Sequence, residues 1–201
     1  MRKSLKALFA AFVFALAVPA SVSAFEWSEC WCNYGGGIEN HDFIINVDGG
    51  IWFSEFAYTN FKDFWFIPPV MVDVQFAQPI WKLPFTFGGY AGFRSYGYSY
   101  IDRHEWIDGK YTPVYASTAF MGMFVGGEAA YHIQLPPEQL DVYAVSRVGA
   151  TIPFMTPHHW DAFECFNAGG AIGANWFFNK NFGLNLECGY PMTKFGLTLK
   201  F

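Results

Sequence analysis

The chain has 201 residues, of which 53% are hydrophobic, 21% aromatic and only 14% charged, with a formal net charge of −5 at pH 7. Soluble domains average about 25% charged residues, so little is available here to cover a water-facing surface, and the chain is too apolar to be disordered. The acidic balance excludes the basic face that nucleic-acid binding needs, and the length suits a single domain.

Residues 1–24 read as a cleaved signal peptide. Arg2, Lys3 and Lys6 form the charged start, Ala7 to Val18 the apolar stretch, and Val22-Ser23-Ala24 the cleavage site. No later run of about 18 apolar residues offers a spanning helix. The expected product is an exported domain, 25–201.

That domain alternates with period two, the signature of strands whose two faces differ. Around 42–54, Phe43, Ile45, Val47, Ile51 and Phe53 oppose Asn46, Asp48 and Gly50. Around 69–78, Val70, Val72, Val74 and Phe76 oppose Asp73 and Gln75. Around 84–95, Phe85, Phe87, Ala91 and Phe93 oppose Thr86, Gly88, Tyr90 and Arg94. Around 117–133, Met121, Met123, Val125 and Ala129 oppose Gly122, Gly126, Glu128 and His132. Around 139–152, Val142, Ala144, Ser146, Val148 and Ile152 oppose Asp141, Tyr143, Arg147 and Gly149. Then Ile172, Ala174 and Trp176 oppose Ala171, Gly173 and Asn175; Leu184, Leu186, Cys188 and Tyr190 oppose Asn185, Glu187 and Gly189. Last, Phe195, Leu197, Leu199 and Phe201 oppose Lys194, Gly196, Thr198 and Lys200.

Eight segments of this kind, each near the roughly 9–11 residues that cross a bilayer at a tilt, predict an all-β fold: an eight-stranded antiparallel transmembrane β-barrel. Short connections at Pro79–Pro84, Pro136-Pro137 and Asn179–Asn181 alternate with long ones at 55–68, 95–116 and 153–163. That alternation matches short periplasmic turns and longer outer loops; the short link at Pro191–Thr193 breaks it. Trp52, Phe53, Trp81, Phe85, Tyr131, Trp176, Phe178, Tyr190 and Phe201 sit near strand ends, where interfacial rings belong. A secreted soluble sandwich is the alternative, but it calls for charged outer faces where this chain is aliphatic.

Six charges, Asp48, Asp73, Arg94, Glu128, Arg147 and Glu187, fall on the glycine-and-polar face, the expected lumen. An eight-stranded interior is just wide enough for side chains to fill, and charges there need partners. They are expected to form a salt-bridge plug, with a selective pore as the alternative. Glu128 and Arg147, equidistant from the Pro136-Pro137 turn, are expected to touch. The connections carry Phe56, Tyr58, Phe61, Phe64, Trp65 and Phe66, and Tyr96, Tyr98, Tyr100, Trp106 and Tyr111. These either form a water-facing binding surface or belong to strands that continue past the bilayer.

Catalytic, cofactor and metal sites are not expected. Only Asp102-Arg103-His104-Glu105 and His158-His159-Trp160-Asp161 gather several ionisable groups, without a serine at a recognised spacing. Cys30, Cys32, Cys165 and Cys188 match neither a redox motif nor a zinc site, and their connectivity stays open.

The segment Asn175-Trp-Phe-Phe-Asn-Lys-Asn-Phe-Gly-Leu-Asn-Leu-Glu-Cys-Gly-Tyr190, followed by Lys194-Phe-Gly-Leu-Thr-Leu-Lys-Phe201, resembles the small bacterial outer-membrane β-barrel superfamily. That superfamily includes the OmpA transmembrane domain and the OmpX and OmpW groups. The resemblance covers about the last thirty residues. It implies an outer-membrane location in contact with lipid, and recognition of the final strand by the barrel assembly machinery through Phe195, Leu197, Leu199 and Phe201. It further implies a structural or surface-interaction protein whose outer loops meet an extracellular or host ligand. A narrow porin-like channel, or an OmpW-like transporter of small or hydrophobic solutes, is the alternative, and a lipid-modifying barrel enzyme a lesser one.

Overall fold

The computed structural model describes residues 34–53, 62–135, 138–156 and 165–201. The leader 1–24, Cys30, Cys32, Phe56, Tyr58, Phe61, Pro136-Pro137 and the His158–Asp161 cluster lie outside the described residues.

Eight strands follow one another: β1 (Phe43–Trp52), β2 (Lys62–Ala77), β3 (Phe85–Ile107), β4 (Lys110–Gln134), β5 (Leu140–Met155), β6 (Phe166–Phe177), β7 (Phe182–Tyr190) and β8 (Met192–Lys200). Each pairs antiparallel with the next, and β1 pairs with β8, closing the ring. Closure leaves no sheet edge along the wall. The lower end is where β1 begins and β8 ends; β3 and β4 rise beyond the upper end.

The side-chain distribution is inverted relative to a water-soluble domain. Outward positions such as Val47, Val72, Val125, Val148, Ile172, Leu186 and Phe195 are exposed, whereas Asn46, Asp73, Gln75, Asn175, Asn185, Glu187 and Lys194 are buried. The strict period of two is what delivers this, because a one-residue slip would swap every side chain to the other face.

The connection expected at 95–116 is not a loop. β3 and β4 stay paired, from Phe85↔Tyr131 out to Ile107↔Lys110. They turn at Asp108-Gly109, both with positive φ (49° and 74°), as the two-residue turns that match strand twist require. Tyrosines, Ile101, Thr112 and Val114 favour strand there. The alternation that would have revealed it is shifted by a bulge between Ile101 and Arg103. β2 likewise starts at Lys62, inside the expected 55–68 connection. Its register slips between Ile67 and Val70, where Pro68 and Pro69 have no N–H to give the ladder.

Residues 34–42 form a strap across the lower mouth. Tyr34 Oη donates to the Phe85 carbonyl at 2.7 Å, Gly36 N to Leu140 O at 3.0 Å and His41 N to Ala77 O at 2.8 Å. Burial pushes the Tyr34 phenol up to about 12, so it remains a donor. Gly36 has φ 62°, and a Cβ there would meet the Phe177 ring at 2.7 Å; only glycine fits. Tyr34 and Ile38 pack with Ile44, Ala77 and Phe177 into an apolar floor.

Candidate functional site

The lumen holds one connected polar circuit to which all eight strands contribute. At its centre, Lys194 of β8 donates to Asp48 Oδ2 and Asp73 Oδ2, each at 2.5 Å, with Glu187 Oε2 at 3.7 Å. Asn46 Nδ2 donates to Asp73 Oδ1 at 2.7 Å. Gln75 Nε2 reaches Asp73 at 3.4 Å and donates to Glu128 Oε1 at 2.8 Å. Arg147 Nε donates to Glu128 Oε2 at 2.7 Å; its Nη1 and Nη2 embrace the two Glu187 oxygens, Nη2 at 2.8 Å from Oε2. The fork geometry lets Arg147 clamp the two carboxylates in fixed planes.

From Glu187 the circuit continues downward. Tyr143 Oη donates to Glu187 at 3.2 Å, and Asn185 Nδ2 donates to Tyr143 Oη and to Asn175 Oδ1, both at 2.7 Å. Asn175 Nδ2 donates to Asp141 Oδ2 at 2.8 Å, and Asp141 Oδ1 meets His132 Nδ1 at 2.8 Å. His132 Nε2 lies 2.9 Å from Thr86 Oγ1, which donates to Gln75 Oε1 at 2.6 Å and so returns to the start.

Thr86, His132 and Asp141 have the connectivity of a hydroxyl–imidazole–carboxylate triad, but the proton runs the other way. Both Nε2 contacts of Gln75 are carboxylates, which fixes its Oε1 as an acceptor. Thr86 must spend its single proton on that oxygen and therefore accepts from His132 Nε2. A nucleophile–base pair needs the imidazole to accept from the hydroxyl. All three side chains are buried. The arrangement holds a wall together and offers no reacting atom to a substrate.

Apolar layers close the circuit above and below. The floor is the strap cluster. The roof is Trp52, Met71, Tyr90, Phe124 and Met192, with the Arg94 guanidinium 4.3 Å from the Trp52 ring centre and 4.8 Å from that of Phe120. Lys200 Nζ donates to the carbonyls of Gly36, at 3.3 Å, and Gly37, tying β8 to the strap.

Of the six charges named from sequence, Asp48, Asp73, Glu128, Arg147 and Glu187 meet in the circuit, and Arg94 lies in the roof. The expected Glu128–Arg147 pair is present, with the two residues directly opposite in register. Lys194, the cation that joins three strands, was not among them. Its position opposite Phe195 and Leu197 marked it for the lumen; so did the same parity for Asn46, Gln75, Thr86, His132, Asp141, Asn175 and Asn185. Phe195, Leu197, Leu199 and Phe201 all point outward, Leu199 half-buried and the others exposed.

Among the described residues no three His, Cys, Asp or Glu side chains converge as a metal ion would require, and Cys165 and Cys188 carry free thiols. No protein-family model matches the chain, and neither a curated protein nor a solved structure is similar to it.

Proposed function

We propose that the chain is an integral β-barrel of a bacterial outer membrane with a sealed lumen, serving a structural or surface-interaction role. The inverted wall supports membrane insertion: apolar outward positions suit lipid, and a closed ring satisfies the backbone where water is absent. β1, β7 and β8, of 10, 9 and 9 residues, match one tilted crossing of about 9–11 residues. The lower end, with both termini of the ring, faces the periplasm in this reading. The leader expected at 1–24 would deliver the chain there.

The observation that carries the sealed-lumen reading is the circuit itself. It spans the lumen through every strand and is roofed and floored by apolar side chains. Conductance across planar bilayers tests it. Folded protein is expected to leave the bilayer silent; stepwise, ion-selective currents would favour the narrow channel instead.

Assembly is the second element of the proposal. The outward face of β8 would be read by the barrel assembly machinery, with Phe201 as its terminal ring. Deleting Phe201 removes one interfacial ring, on the order of 1–3 kcal/mol when buried, and two backbone hydrogen bonds with Phe43 at the end of the closing seam. It should leave refolding into detergent largely intact. Heat-modifiable protein in outer membranes should nevertheless fall sharply, whereas Lys200→Ala should lower it far less. An unchanged amount after the deletion removes the assembly role.

A further inference from the structure

Above the barrel wall the β3–β4 hairpin carries a second apolar surface. Among the described residues, the last partner of β3 on β2 is Ser99, opposite Lys62, and the first partner of β4 on β5 is Met121, opposite Met155. Beyond these points the two strands pair, among the described residues, with each other. Parity along β4 gives the direction of each face. Val125 and Met123 point outward and are exposed, while Phe124 and Phe120 point inward and are buried. The same parity places Tyr115, Pro113 and Tyr111 on the outward side. Ile101 pairs with Tyr115, His104 with Pro113 and Trp106 with Tyr111. The bulge after Ile101 thus brings His104 and Trp106 onto that side as well.

A narrow gap separates the two outward surfaces: Gly97, opposite Ala119, lies under the Trp65 ring of β2, and Ser99 lies opposite Ser117, the two hydroxyls 3.0 Å apart. Above this gap Trp106 is 73% and Tyr111 64% exposed. The His104 and Tyr111 rings are 5.0 Å apart and 8° from parallel, with Trp106 at 5.8 Å from Tyr111. From Met121 to Tyr111 the strand climbs about 33 Å at about 3.3 Å per residue, or roughly 25 Å of height at a barrel's tilt. Phospholipid headgroups extend only about 5–8 Å beyond the hydrocarbon. A surface this high, facing sideways over the lipid, meets only lipids whose heads are built up from several sugars.

Phosphate is a poorer fit. Arg103 is on the opposite face and already bound to Glu105 at 2.6 Å and Asp102 at 3.1 Å. Flat aromatic faces with few free charges suit the C–H faces of sugar rings. We propose that Ile101, His104, Trp106, Tyr111 and Pro113 form a platform that stacks on the saccharide heads of glycolipids packed around the barrel. This rests on the outer-membrane reading above.

The test uses the full-length chain folded in detergent and in phospholipid vesicles, titrated with lipopolysaccharide carrying its core sugars, with sugar-stripped lipid A, and with the freed core oligosaccharide. Native mass spectrometry counts what is retained. The sugar-bearing lipid is expected to bind about tenfold tighter than lipid A. Trp106→Ala with Tyr111→Ala should abolish that margin. Thr112→Ala on the opposite hairpin face and Trp81→Ala at the far end should preserve it, and every variant should retain heat-modifiable folding. Equal retention of the two lipids, freed oligosaccharide binding as tightly as the lipid, or a hairpin variant that changes only the oligomeric state would each overturn the platform. Failure of the wild-type chain to insert into vesicles at all would overturn the membrane reading instead.

Discussion

The lumen and the β3–β4 hairpin are made by the same alternation and end in opposite conditions. In the lumen, large polar side chains converge from eight strands and find their partners within the chain: Lys194 with two aspartates, Arg147 with two glutamates, His132 between Thr86 and Asp141. On the hairpin only two strands remain among the described residues, and Trp106, Tyr111 and His104 pack on one another. Closure of the sheet supplies the lumen with its second and third partners; the two-stranded ribbon leaves Trp106 and Tyr111 largely exposed. Damage should therefore cost much inside and little on the hairpin, and that contrast can be broken experimentally.

The largest effect is expected from Arg147→Ala. It strands Glu128 and Glu187 in a water-poor interior, and breaking a buried pair on one side costs about 3–5 kcal/mol. Urea unfolding of the vesicle-folded barrel, followed by heat-modifiability, should show the loss. Replacing the whole group (Arg147→Met with Glu128→Gln and Glu187→Gln) should recover most of it, because no charge is then left unpaired. A single variant no worse than the triple would mean the lumen is wetter than its packing implies. His132→Phe is expected to cost less, about 1–3 kcal/mol: Asp141 keeps its bond from Asn175, and Thr86 keeps Gln75.

The two hairpin tips give a finer comparison. Asp108-Gly109 has the residues its positive φ values require. At the lower end Trp81 and Lys82 hold φ of 48° and 72° between the bridged residues Ile80 and Leu83, a conformation that costs non-glycine residues roughly 1–2 kcal/mol each. Trp81→Asn with Lys82→Gly should raise unfolding stability by about 1 kcal/mol. A drop would show that the Trp81 ring, 91% exposed, holds the tip against something outside the chain.

Strand number, order and facing were legible in the sequence, because glycine and polar residues alternate with aliphatic ones over every wall segment. The reach of β3 and β4 was not, because the bulge after Ile101 shifts the alternation and the small interval around Gly97 looks like loop. For the lumen, charge was the wrong filter. Parity alone places Lys194, His132 and the asparagines inside, whereas the six charges named for the lumen left out Lys194 although it sits on the face opposite Phe195. Which partners meet around the ring depends on register between strands far apart in sequence, such as Asp48 with Lys194, 146 residues away.

The smallest effect is expected from Trp106→Ala, and it bears most directly on the comparison. Tryptophan truncation in a core costs about 3–5 kcal/mol through lost transfer and cavity formation. Neither term applies to a ring that is 73% exposed and touches Tyr111 at a centroid distance of 5.8 Å. The hairpin register is held instead by its backbone ladder and by the Asp108-Gly109 turn, which the substitution leaves alone. The unfolding midpoint should shift by less than about 0.5 kcal/mol, the range of surface changes, in detergent and in plain phospholipid vesicles alike. In vesicles containing core-sugar lipopolysaccharide, wild type should gain stability over the variant, since a ligand that binds only the folded state adds to it by mass action. A loss above about 1 kcal/mol in plain phospholipid would mean that Trp106 is built into the fold, and the hairpin would then belong with the lumen rather than opposite it.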